Sequence, residues 1–113
     1  MKPIEFHTLA TALAAQSAEA ARRTAVSRAY YAALNRAAQY VQPRGPPLPT
    51  GCAFHKVVRD RLADDFAGAS DQLEKLMAKR GDADYEVWQP WDDDVSEALE
   101  ISANIIATID AKG

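Results

Sequence analysis

Apolar residues recur along this chain at three- and four-residue intervals, and no run alternates apolar with polar over the length of a strand. That period predicts amphipathic helices. The first is predicted over residues 4–16, where Phe6, Leu9 and Leu13 make one edge. The second is predicted over 18–41, with Ser17 as its N-cap. Its apolar stripe is Val26, Tyr30, Ala33, Ala37 and Tyr40. Neither proline nor glycine separates these two, so they are nearly continuous. Residues 42–51 then hold four prolines and two glycines, which no helix tolerates. A third helix is predicted over 52–66, with Phe54, Val57, Val58 and Leu62 inward. A fourth is predicted to start near Ser70, with Asp71 in its first turn, Leu73, Leu76 and Met77 inward, and Gly81 at its end. The last is predicted to start at 92–94, where Asp94 and Glu97 fit a capping box. It carries Val95, Ala98, Leu99, Ile105, Ile106 and Ile109. Short connections between such helices predict an all-α, up-and-down bundle of four or five helices, in one domain over residues 1–113.

Composition agrees with one compact unit. The chain of 113 residues is 48% hydrophobic with a net charge of −3, enough for a single core and unlike a disordered segment. Net acidity argues against a protein that coats nucleic acid without specificity. Charge is segregated, however. Arg22, Arg23, Arg28 and Arg36 share the second helix, while Asp82, Asp84, Glu86, Asp92, Asp93, Asp94 and Glu97 lie toward the other end. No stretch is long and apolar enough to span a membrane, the first residues do not read as a signal peptide, and one cysteine cannot form an internal disulfide. A cytoplasmic protein is expected. Cys52 has no catalytic partners in its surroundings and reads as incidental.

The candidate chemistry starts at residues 27–35, Ser-Arg-Ala-Tyr-Tyr-Ala-Ala-Leu-Asn. On a helix Arg28 and Asn35 stand about two turns apart and lie nearly one above the other. The stripe of Val26 and Tyr30 faces away from them. One helix is thus expected to carry a core face and a separate polar line headed by Arg28. A guanidinium offers a fork of donors matched to phosphate oxygens. The competing reading pairs Arg28 with Asp84 or another carboxylate, so that it merely pins two helices. Tyr31 leans toward Arg28 and can stack on a base, although core packing accounts for it as well.

Three segments together resemble the HEPN family of small helical domains. Residues 27–35 are similar to its Ser-Arg-x-Tyr-Tyr-Ala-x-aromatic-His stretch. His55, in Phe54-His55-Lys56, is similar to a histidine that often opens the family's third helix. Arg80-Gly81-Asp82-Ala83-Asp84-Tyr85 is similar to its Arg-x-x-Ala-Asp-Tyr segment. The order matches and spans nearly the whole chain. The resemblance implies a helical bundle, commonly a homodimer, and in many members a metal-independent ribonuclease of toxin–antitoxin pairs and phage defence. Its signature is an arginine followed four to six residues later by a histidine. Other members lack the signature and serve as RNA-binding or interaction modules, several beside a minimal nucleotidyltransferase.

Here the signature is degenerate. Arg28 matches the arginine, but Asn35 stands where the histidine belongs. Metal-free cleavage needs groups that move protons, which imidazole does near neutral pH and a carboxamide does not. His55 is the histidine best placed to substitute, against the reading that it only fixes its loop. The expected site is therefore Arg28, Asn35 and His55, with Arg28, Tyr31 and Arg36 on phosphate or RNA, and Arg80, Asp84 and Tyr85 as a structural motif. No metal or other cofactor is expected, since the two histidines are far apart and Asp92–Asp94 read as helix capping. Expected partners are a second copy, RNA, and an antitoxin or nucleotidyltransferase. Either weak or absent cleavage or a noncatalytic module fits this pattern. His7 is expected to be exposed, and Trp88 and Trp91 to pack the last helix or a partner surface.

Overall fold

The computed structural model describes residues 2–14, 19–83 and 92–112. They form five α-helices: α1 (Pro3–Ala14), α2 (Glu19–Val41), α3 (Cys52–Asp65), α4 (Ala67–Ala83) and α5 (Asp92–Lys112). A single 3-10 turn, Gln42–Arg44, follows α2. No strand occurs among the described residues, and none of the described helices is long and apolar enough to cross a membrane. The all-α bundle expected from the periodicity is the observed architecture.

The helix α2 is the axis of the bundle and packs against all four others. At 23 residues it extends about 35 Å, most of the 41 Å long dimension of the molecule. Its expected stripe of Val26, Tyr30, Ala33, Ala37 and Tyr40 is buried throughout. So are Ala25, Ala29, Ala32, Leu34, Ala38 and Val41. Burial thus extends well beyond one face, and the many alanines let neighbouring helices approach closely on several sides. The polar line of Arg28 and Asn35 is consequently a half-buried seam between helices rather than an open face. Ser102 of α5 shows how tight the approach is: it is fully buried and donates to the Ala29 carbonyl of α2 at 2.7 Å.

Local signals explain most helix ends. Pro3 opens α1, where a missing N–H costs nothing. The Glu5 carboxylate accepts from the Lys2 backbone N–H at 3.0 Å, as in half of a capping box. Between α3 and α4 only Phe66 leaves the helix, and its N–H still donates to the Leu62 carbonyl at 2.8 Å. The start of α4 is accordingly three residues earlier than Ser70 suggested. Ser70 does not cap the helix from outside. Its buried hydroxyl donates back to the Arg59 carbonyl of α3 at 2.9 Å. Likewise α4 runs through Gly81 to Ala83 instead of stopping at the glycine. Ser17, Asp84, Tyr85, Trp88 and Trp91, with the readings attached to them, lie outside the described residues.

The proline segment after the 3-10 turn is pinned from both ends. Arg44 stacks on Tyr40, with its guanidinium 3.7 Å from the ring centroid, and donates to the Tyr40 carbonyl. Arg61 of α3 donates to the Pro46 carbonyl at 2.6 Å. Gly51 then turns the chain into α3 with φ +74° and ψ −149°. That conformation is essentially confined to glycine, although nothing lies within 4 Å of where a Cβ would stand. Gly51→Ala should therefore destabilise the fold by about 1–3 kcal/mol through backbone strain alone, read as a lower denaturant midpoint with an unchanged slope. An unchanged midpoint would show that α3 can start without this turn.

Candidate functional site

An open cleft of about 1110 Å³ lies where α2, the proline segment, the first turn of α3 and the C-terminal half of α4 meet. Asn35 and Gln39 come from α2, Phe54 and His55 from α3, and Met77 and Arg80 from α4. Leu48, between two prolines, closes one wall. Apolar surface from Phe54, Leu48 and Met77 faces a few convergent polar groups, the usual make-up of a ligand site.

Behind the lining residue His55, the Tyr30 hydroxyl and His55 Nδ1 lie 2.5 Å apart, with the two rings nearly parallel at 4°. Tyr30 is 1% exposed, and burial pushes its pKa up to about 12, with the nearby Arg80 and Arg59 charges opposing and Tyr31 adding to the rise. Tyr30 therefore keeps its proton at neutral pH. A buried hydroxyl needs an acceptor, and Nδ1 is the one beside it. The roles follow the imidazole tautomer: with the proton on Nε2 the Tyr30 O–H donates to Nδ1, and with it on Nδ1 the Tyr30 oxygen accepts. Burial, and after it the positive charge of Arg80, pushes the His55 pKa below its ordinary value.

Arg80 sits over the same aromatic pair. Its guanidinium carbon lies 5.8 Å from the Tyr30 ring centroid and 5.5 Å from that of Tyr31, in cation–π range. Asn35 Nδ2 donates to the Tyr31 carbonyl one turn back at 2.8 Å. Because a carbonyl only accepts, this bond fixes the amide orientation and leaves Oδ1 as the acceptor that Asn35 offers elsewhere.

The structure thus brings Asn35 and His55 together and adds Arg80, which the sequence had suggested only as structural. It does not bring Arg28 to them. The Arg28 guanidinium lies 5.8 Å from the Phe6 ring centroid of α1, half-buried and outside the cleft lining. No carboxylate among the described residues pairs with it, and Asp84, its suggested partner, is outside them. Arg36 also departs from expectation. Its Nε contacts Asp110 of α5 at 2.6 Å, so it braces α2 against α5 instead of lining the cleft. Tyr31 is half-buried, packed edge-on against Tyr30 at 5.4 Å with the Arg80 guanidinium over its ring, and it is not among the residues that line the cleft. His7 is half-buried rather than exposed, with Nε2 at 3.2 Å from the Leu99 carbonyl.

Chemically, the cleft lining brings together a guanidinium, an imidazole and an amide oxygen. Such groups suit an anion with hydroxyl or amino groups around it. No cluster of three or more His, Cys, Asp or Glu able to hold a metal ion occurs among the described residues.

No family model matches the chain, and no curated protein or solved structure shows significant similarity to it.

The depressed pKa of His55 has a sign for stability. Below about pH 6.5 the unfolded chain protonates this histidine while the folded chain resists, so folding weakens as pH falls through that range and continues to weaken down to the folded-state pKa. Wild-type protein should lose more melting temperature between about pH 7.5 and about pH 5.5 than His55→Gln, which removes the titrating group. Identical losses in the two proteins would show that His55 is not held neutral.

Proposed function

We propose that this chain is a HEPN-like domain that acts on RNA by binding it in the cleft, in the toxin or defence setting that the resemblance implies. One observation carries this reading. The three resembling segments are far apart in sequence, yet each contributes one polar side chain to the same cleft: Asn35 from the first, His55 from the second and Arg80 from the third. A cation next to apolar and aromatic surface suits a phosphate with its attached base.

The binding role is favoured over cleavage by two further features. Arg28 lies against Phe6 and is not among the residues that line the cleft, whereas Asn35 is. His55 has its Nδ1 engaged, and Asn35 has no titrating proton to exchange. Metal-free cleavage needs a base for the 2′-hydroxyl and an acid for the leaving oxygen, and among the described lining residues His55 is the one side chain that exchanges a proton near neutral pH. A second copy, an antitoxin or a nucleotidyltransferase is the partner class to seek, and the cytoplasm the compartment.

Labelled RNA incubated with the protein in EDTA tests both halves. The parent should bind without appreciable cleavage, and Arg80→Ala should weaken binding by about tenfold or more. Asn35→His restores the missing imidazole and should yield measurable cleavage only if Arg28 can reach the cleft. Rapid cleavage by the parent, lost in His55→Ala, would overturn the noncatalytic reading. Unchanged affinity in Arg80→Ala would remove the cleft from RNA contact.

A further inference from the structure

We propose that the part of the cleft built by α2, the proline segment and α3 is a nucleobase slot, in which Phe54 and Leu48 take the flat face of one base and Asn35 Oδ1 accepts from its exocyclic amino group. This deepens the RNA reading and rests on it, by naming the bases that the cleft prefers.

Asn35 is an amide with one end already committed. Its Nδ2 donates to the Tyr31 carbonyl at 2.8 Å, and a carbonyl only accepts, so the amide cannot turn over without losing that bond. Oδ1 has no partner among the described residues. An amide free to flip would meet donors and acceptors alike, whereas this one offers an acceptor alone. Gln39 lines the same cleft one turn further along α2. It is exposed and has no hydrogen-bond partner among the described residues, so its amide adopts either polarity. The pair is a fixed acceptor beside an adaptable amide. An amino group next to a ring nitrogen, as in adenine and cytosine, meets that pair donor to acceptor and acceptor to donor. Uracil carries a carbonyl where cytosine carries the amino group, and a carbonyl is repelled by a fixed oxygen acceptor.

Phe54 supplies the flat surface. Its backbone N–H donates to the Gly51 carbonyl at 3.1 Å, which closes the turn that Gly51 begins and sets the ring in the first turn of α3. The ring is partly buried against the core, as is Leu48. Its one ring contact among the described residues is with His55, edge to face at 6.0 Å, so no ring stacks flat upon it. Every base has a π-face, so stacking supplies affinity without selection, and the oriented amide supplies the selection.

The test uses the full chain and three fluorescein-labelled RNA decamers in EDTA, read by anisotropy: adenylate, uridylate, and purine riboside, which is adenylate without its 6-amino group. Adenylate should bind about fivefold to tenfold more tightly than either of the others. Asn35→Ala keeps α2 intact, since alanine is the best helix former. It should weaken adenylate to the level of purine riboside and leave purine riboside unchanged. Phe54→Leu keeps an apolar side chain but removes the ring, and should weaken all three decamers by about tenfold. Equal wild-type affinity for adenylate and purine riboside would overturn the proposal, and so would an equal weakening of all three in Asn35→Ala, the mark of a merely structural amide. In either case decamers that still bind would leave the RNA reading standing. Wild-type affinity in Phe54→Leu would overturn the stacking surface, and the Asn35 measurements decide the amino contact even if that variant fails to fold. Free adenosine that binds, and binds more weakly to Asn35→Ala, with no decamer bound would sink the RNA reading and leave the slot.

Discussion

The bond from the Tyr30 hydroxyl to His55 joins the axis of the bundle to the cleft. Tyr30 has its ring in the core and its oxygen against a histidine that lines the cleft, so one residue serves packing and polarity together. With the Tyr40 hydroxyl, which donates to Asp65 at 2.7 Å, it ties α3 to α2 through polar groups at both ends of that helix and fixes the orientation of the imidazole. Arg80, stacked on the same ring, extends this order to α4.

The central position of α2 makes such an arrangement possible. Its alanines let α1, α3, α4 and α5 close around it, and the buried Ser102 reaches the Ala29 carbonyl because the separation of α5 from α2 is so short. Polar residues of α2 are left in the seams between its neighbours. Which seam stays open is decided by the proline segment. Held by Arg44 and Arg61 and turned by Gly51, it stands off from α2 and leaves the cleft above Asn35. A shorter or helical connection would lay α3 directly over that ground.

Arg28 and Asn35 illustrate how far helical periodicity reaches. The period puts them on one line, and on α2 they do share a half-buried seam. It says nothing of what covers each part of the line. Phe6 of α1 meets the guanidinium, while Asn35 opens to the cleft. Arg36, one residue further on, belongs instead to α5 through Asp110. Three side chains within nine residues thus have three different surroundings, each set by a segment distant in the chain.

The sequence by itself determined the helices, the break at the prolines and the inward stripes, because these follow from local backbone preference and from apolar spacing along one element. It also marked residue 35 as an amide without proton-transfer capacity, which is a property of the side chain alone. Helix ends at Ser70 and Gly81 were misread because a capping signal yields when tertiary packing lets the helix continue. Tertiary structure alone decided that Tyr30 meets His55, that Arg80 joins Asn35 in one cleft and that Arg28 does not. Those pairings depend on helix rotation and spacing, which arise from the closing of alanine-rich surfaces in three dimensions and leave no periodic trace in the order of residues.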